Sequence, residues 1–417
     1  MTDPEFRPTP DLPRSWPGRT FASLRHRNYR LYFTGQFVSL VGMWMQSAAQ
    51  SWLVYDLTGS KAMLGAVGLA GSLPILLVSI YGGLLADRFP RKGIIIVTQV
   101  IAAMLALILA TLVLTGSVHV WHIVVLAALL GTVAGLEMPA RQAFVIEMVG
   151  RPDLMNAIAL NSTVFHAARI LGPAVAGLII AAYGTGPCFL VNGLSYTAVL
   201  AALLAMRLDA RTQLPPQGSL WAQSTEGFRV VARNRGVLGL LILTLTVGVF
   251  GWSYVVLLPA VARDTLEAGP GGYGLLMSST GVGSVIGALL IASFREVRDG
   301  RVLVTASILV YSAAVSVFAA TTRFDIAILA LAPAGMGLTA FFSLTNTLIQ
   351  ASVDDNVRGR VMGVYTLVFG AMLPLGALQA GALAEAIGTA ATIHIGALLV
   401  AVSAVAGLFM LPANLRR

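Results

Sequence analysis

Apolar residues in this chain come in long unbroken runs, with neither the alternation of a half-buried strand nor the one-sided stripe of a soluble helix. Val124 to Leu136 and Gly396 to Leu411 contain no charged residue. Runs of about 20 apolar residues recur, and at ~1.5 Å per residue each can cross a hydrocarbon core of ~30 Å. They are too long for the strands of a transmembrane barrel, which alternate over roughly 10 residues. Hydropathy and helix breakers predict spans near 30–55, 62–85, 93–115, 120–139, 156–183 and 187–206, then near 236–261, 272–293, 302–321, 325–349, 359–386 and 389–411. The expected fold class is all-α integral membrane, with twelve helices in two six-helix halves.

Composition agrees. The 417 residues are 57% hydrophobic and 11% charged, against roughly 25% charged in a soluble domain. Water cannot cover such a chain, so lipid must. The net charge of +9 raises the possibility of a nucleic-acid partner, but its distribution argues against one. All but four of the 27 Lys+Arg residues fall in the tails and even-numbered loops. The exceptions are Lys61, Arg263 and Arg323 in odd-numbered loops and Arg169 inside a span. That asymmetry predicts cytoplasmic termini in a bacterial inner membrane. Residues 1–27 read as a cytoplasmic tail in which five prolines (Pro4, Pro8, Pro10, Pro13, Pro17) prevent a helix. Residues 28–206 and 236–411 read as the two halves, 207–235 as a cytoplasmic linker and 412–417 as a second tail. The single cysteine, Cys188, excludes an internal disulfide and a cysteine-based metal cluster. The sequence holds no nucleotide-binding loop and no His-Glu-x-x-His, so no enzyme activity, cofactor or metal is expected.

The halves echo one another. Gly172, Gly177 and Gly184 recur as Gly376, Gly381 and Gly388, and Gly65, Asp87 and Lys92 correspond to Gly274, Glu296 and Arg301. Two related halves imply a pseudo-two-fold axis along the membrane normal, with a site between them near mid-bilayer.

After the second span the chain reads Gly83-Leu84-Leu85-Ala86-Asp87-Arg88-Phe89-Pro90-Arg91-Lys92. This resembles the signature loop of the major facilitator superfamily, with proline where glycine is common. Glycine and alanine let helices approach closely, and the acid and bases can make charge-assisted bonds across one face of the bundle. Gly172, Pro173 and Gly177 in the fifth span resemble the Gly-Pro-x-x-Gly element of proton-antiporting exporters. The stretch from Glu137 through Pro139 and Arg141 to Phe144, with Asn28-Tyr29-Arg30, resembles the enterobactin-exporter-like branch, a group that includes transmembrane secretion effectors and macrolide-efflux-like permeases. The resemblance covers roughly residues 25–411. It implies a monomeric proton-coupled exporter of amphipathic small molecules, such as drugs or a siderophore, with an importer on the same fold as the alternative. It also implies that Asp87, Arg88, Arg91 and Lys92 lock the cytoplasmic side, joined by Glu137 and Arg141.

The spans carry further candidates for the substrate or proton pathway. Arg169 lies near the bilayer centre, where an unpaired charge is costly, and His166 is on the same helix face. Two readings stay open: the pair touches an anionic or hydrogen-bonding substrate, or Arg169 forms a structural ion pair or carbonyl clamp. Gln36, Gln46 and Gln50 share roughly one face of the first span. Asn161, Asn192, Asn346, Gln350 and Gln379 add neutral polar groups elsewhere, available for interhelical hydrogen bonds or substrate. Trp44, Trp52, Trp252 and Tyr254 can stack on an apolar ligand or serve packing. No acid stands out as a mid-membrane proton carrier; Glu137 is the first choice and His166 the second, while Glu385, Asp56 and Asp264 lie near helix ends. Asp87→Asn is expected to lower transport while leaving membrane insertion intact, checked by efflux rate against the amount of protein in the membrane.

Overall fold

The computed structural model describes residues 21–207, 220–293 and 299–410. The proline-rich tail, much of the 207–235 stretch, Glu296 and the carboxyl-terminal tail lie outside the described residues. A short 3-10 turn, Ala22–Arg25, leads into α1 (Arg27–Thr58), α2 (Lys61–Arg88), α3 (Arg91–Leu114), α4 (Val120–Tyr183) and α5 (Gly186–Ala205). There follow α6 (Leu220–Arg233), α7 (Arg235–Gly251), α8 (Ser253–Ala260) with a π turn over Val261–Thr265, α9 (Gly269–Ser293), α10 (Gly300–Ala320), α11 (Phe324–Ala351), α12 (Asp355–Ile387) and α13 (Thr389–Met410). Among the described residues ten helical segments are long and apolar enough to cross a membrane. Every backbone polar group in a lipid-spanning segment must be satisfied within it, which is why such a sequence becomes helix.

Three departures from the sequence expectation have local causes. First, the runs 120–139 and 156–183 belong to one 64-residue helix, α4, that passes through Pro139 and Pro152. It is broken at Gly150, whose φ of 72° lies in the left-handed region that costs an L side chain about 1–2 kcal/mol. The chain reverses there, so α4 has two arms. Second, part of the expected linker is the helix α6, whose Gly227 packs on the backbone of Arg360. Third, the run 236–261 is divided at Trp252 between α7 and α8.

Helices α1–α5 pack on one another, as do α7–α13, and the two groups meet along two crossings, α2 with α12 and α4 with α9. Both crossings are backbone against backbone. A Cβ added to Gly65 would stand 2.9 Å from the Gly381 Cα, and one added to Gly274 would stand 3.0 Å from the Gly177 Cα. These four glycines are members of the sequence repeat, so the crossings are equivalent under it. The seam runs from the end of the bundle that holds the 59–60 and 388 turns to about the middle, where Leu76 meets Gly370 and Ile170 meets Gly281. Polar ties close the same end. Tyr55 donates to Asp264, Arg263 donates to Asp56 at 3.1 Å, and Glu385 accepts from the backbone N–H groups of Lys61 (2.8 Å) and Ala62 (3.1 Å) at the start of α2. The core follows the same division. One apolar cluster crosses the seam and joins residues such as Trp52, Ile180 and Tyr273. A second, around Tyr32, Phe144 and Met148 at the basic end, belongs to α1–α5 alone.

Glycine at 131 sits directly against the backbone of Gly71. Gly131→Val is expected to cost about 1–3 kcal/mol by overpacking, read as a lowered melting temperature of the purified protein. Gly83→Val, with nothing within 4 Å of its added Cβ, is expected to leave that temperature unchanged.

Candidate functional site

A cavity of about 400 Å³ lies among α1, α2, α3, the first arm of α4 and α5. Its polar lining comes from Gln36, Gln46 and Gln50 of α1, Gln99 of α3, Glu137 and Arg141 of α4, and Asn192 and Tyr196 of α5. All its lining residues precede residue 207, although the repeat predicts a site between the halves.

Glu137 is the anchor. Its side chain is 5% exposed, and a buried carboxylate persists only when paired and hydrogen-bonded. The helix repeat puts Arg141 one turn away on the same face, where its Nε and Nη2 both reach the Glu137 carboxylate, the former at 2.8 Å. Gln99 donates its Nε2 to both carboxylate oxygens at 2.8 and 3.0 Å. Deeper in the same wall, Asn192 donates to Gln46 at 2.6 Å, and Ser195 donates to the Asn192 carbonyl at 2.8 Å. The expected stripe on α1 is thus half used by the helix packing: Gln46 is bonded, while Gln50 faces the cavity. Sequence reasoning missed Gln99 and Tyr196. A lone glutamine in the apolar run of α3 was a usable signal for the first.

The signature loop is organised differently from the expectation. Gly83 makes no close approach; Gly82 does, with an added Cβ 2.6 Å from the Gly135 carbonyl oxygen. Asp87 and Arg88 are exposed and have no hydrogen bond or ion pair among the described residues. Arg91 pairs with Glu147 at 2.7 Å, and Lys92 donates to the carbonyl of Met206 at 3.0 Å. The loop therefore ties α2 and α3 to α4 and α5, and Glu137 and Arg141 form a separate group inside the bundle. Nearby, Asp153 is held by Arg25 (2.7 Å) and His26 (2.6 Å), and Ser23 bonds Asn156 through its backbone N–H. That clasp fixes the amino-terminal turn beside the Gly150 break.

The remaining candidates lie outside the cavity. Gly172 packs against α1 at Trp44 and Met45, Gly177 against α9 at Gly271, and the Pro173 carbonyl faces Gly274, making a three-helix junction. Asn161 accepts from Tyr29 at 3.0 Å, Asn346 from Gln350 at 2.6 Å, and Gln379 from Ser253 at 3.1 Å. Trp52 stacks on Tyr273 across the seam, Trp252 is half-buried at the α7–α8 turn, and Tyr254 is buried beside Tyr311 and Phe318. Among the described residues Arg169 has neither an ion pair nor a carbonyl partner; its guanidinium carbon lies 5.6 Å from the centroid of the Trp44 ring.

The helical architecture matches solved transporters. A bacterial homologue of the human lysosomal transporter Spinster superposes with TM-score 0.71 at 14% identity, over 95% of this chain and 97% of that one. The nucleoside transporter NupG superposes with TM-score 0.75 at 13% identity, over 92% and 98%. Both superpositions show the shared helical fold. The family pattern decides the class: the chain is a multi-pass membrane transporter of the major facilitator superfamily. It belongs to the transmembrane secretion effector family, whose pattern matches residues 18–415. Similar proteins include the staphyloferrin A transporter of Staphylococcus aureus, 24% identical over 88% of this chain and 92% of that one. The multidrug efflux pump Tap of Mycolicibacterium fortuitum is 27% identical over 82% and 85%, and the macrolide efflux protein A of Streptococcus pyogenes is 24% identical over 87% and 92%.

Removing one member of the Glu137–Arg141 pair strands the other. Because the Arg141 side chain is 32% exposed, Glu137→Ala is expected to cost about 2 kcal/mol, below the ~3–5 kcal/mol of a fully buried pair. The double variant Glu137→Met with Arg141→Met is expected to recover most of that loss in thermal unfolding.

Proposed function

We propose that this protein is a proton-driven exporter of amphipathic small molecules, drugs or a siderophore among them, working by alternating access. The observation that carries the reading is that relatives aligned over more than four-fifths of the chain are efflux pumps for drugs and macrolides. The Gly172-Pro173-Gly177 junction adds to it. We further propose twelve spans in two halves, 28–206 and 236–411, counting the arms of α4 separately and α1 as a span. The equivalent glycine crossings support that arrangement. The basic loops support cytoplasmic termini in the inner membrane of a bacterium, with a monomer as the working unit.

In this reading the closed end is the outer one, and the cavity is reached from the cytoplasm. Asp87, Arg88, Arg91 and Lys92, with Gly83 in the same loop, take up their locking role when the outer seam opens and the cytoplasmic ends converge. Glu137 is the proposed proton carrier: buried, lining the cavity and already shared between Arg141 and Gln99, it can exchange a proton for a change of partner. Gln50 faces the same space as a cargo contact, and His166, Asn161, Asn346 and Gln379 lie along the helices that must move.

The test is accumulation of a fluorescent drug panel and a catecholate siderophore in efflux-deficient cells expressing the protein. Lower accumulation that an uncoupler and Glu137→Gln both reverse is the expected result. Uncoupler-insensitive export would remove the proton, and raised uptake would reverse the direction.

A further inference from the structure

Arg169 sits in the second arm of α4, about midway along it, with its side chain partly accessible. The helices around it offer no counter-charge. Residues 30–55, 156–183, 235–260 and 269–293 contain no aspartate or glutamate, so α1, the second arm of α4, α7, α8 and α9 hold no carboxylate at that depth. Among the described residues its guanidinium has no hydrogen bond and no ion pair, and Trp44 lies against it at 5.6 Å. An aromatic face stabilises a cation without accepting any of its five N–H groups.

Three more polar atoms close by are also unmet. The indole Nε1 of Trp44, the imidazole Nδ1 of His166 and the hydroxyl of Tyr254 are buried without a hydrogen-bond partner among the described residues. Phe165 packs edge-on against Trp44 at 5.6 Å and against His166 at 5.8 Å, which fixes both rings. A buried group left unsatisfied is costly, and buried polar groups are rarely left so without reason. Here a fixed cation and an indole that can only donate fall within one cluster, at mid-membrane depth, where α1 and α4 cross.

We infer that Arg169, with the indole N–H of Trp44, forms a docking site for the anionic group of the transported molecule, and that the favoured cargo carries a carboxylate. The inference rests on the transport reading. A guanidinium presents paired N–H groups that match the two oxygens of a carboxylate. One fixed positive charge compensates a monoanion and would leave a phosphate dianion half uncompensated. The aromatic wall of Trp44 and Phe165 suits an apolar body attached to that carboxylate.

The test uses the full chain in lipid nanodiscs with 1-naphthaleneacetate and its uncharged methyl ester. Wild type is expected to bind the acid about 10-fold more tightly than the ester. Arg169→Gln is expected to abolish that preference while ester affinity stays within about twofold, and Arg169→Lys to keep part of it. Trp44→Phe, which keeps the ring and removes the N–H, should weaken acid binding alone. Since Arg169 has no hydrogen-bonded or ionic partner to lose among the described residues, and only the weak hold of the Trp44 ring, the ligand-free melting temperature of Arg169→Gln should equal or exceed that of wild type. An acid that binds no better than the ester, a preference that survives Arg169→Gln, or a sharp fall in that melting temperature overturns the proposal. Absence of export for every compound in cells strikes the transport reading instead, and leaves the acid–ester comparison to stand or fall by itself.

Discussion

Everything in this molecule hangs on helix backbones that touch. Lipid gives two apolar helices no hydrophobic reason to associate, so contact must come from close approach and the dispersion it brings. Gly65 on Gly381 and Gly177 on Gly274 supply that approach at equivalent crossings. The polar ties at the same end, Tyr55 with Asp264 and Glu385 with the start of α2, fix which residues meet. They do so at little energetic gain where they are exposed. Among the described residues the seam runs only to about the middle of the bundle, and the separate apolar cluster around Phe144 goes with that. Each group has to be internally stable at the end where it lacks a partner.

The molecule treats Arg141 and Arg169 in opposite ways. Arg141 is satisfied by a glutamate one helical turn away, whose carboxylate also accepts from Gln99, so its charge belongs to a group of three side chains. Arg169 has the Trp44 ring against it and Tyr254 and His166 nearby, and no anion among the described residues. The first arrangement is cheap to keep and can be rearranged by a single proton. The second is held in place by packing alone, through Phe165, Trp44 and the close contact of Gly172 with α1.

Much of this was legible in the chain. The apolar runs set the helices within a few residues, because only an internally bonded backbone survives in hydrocarbon. The repeat of glycines implied two related halves, but not that the repeated glycines meet across the seam. What stayed hidden was of two kinds. Charges and a proline between 140 and 155 read as a loop, yet the helix continues to Gly150, since helix that emerges from lipid can be kept by Arg91, Glu147 and the core at Phe144. Helix α6 was hidden in the same way behind the polarity of its surroundings. The other kind is partnership. Nothing local to Gln99 says that it bonds Glu137, and nothing in two adjacent glycines says that Gly82, and not Gly83, meets the neighbouring helix. Such facts belong to the rotation of whole helices, which sequence periodicity leaves open when every face is apolar.

The clasp between the amino-terminal turn and the Gly150 break sets an order on biosynthesis. Ser23, Arg25, His26 and Tyr29 find their partners at Asp153, Asn156 and Ala157, about 130 residues later in the chain. A ribosome adding ~5–20 residues per second needs on the order of 10 s to deliver them. Throughout that interval the turn that leads into α1 is unfastened. Residues 22–29 are therefore among the last parts of the first bundle to settle, and they settle only once the second arm of α4 has emerged.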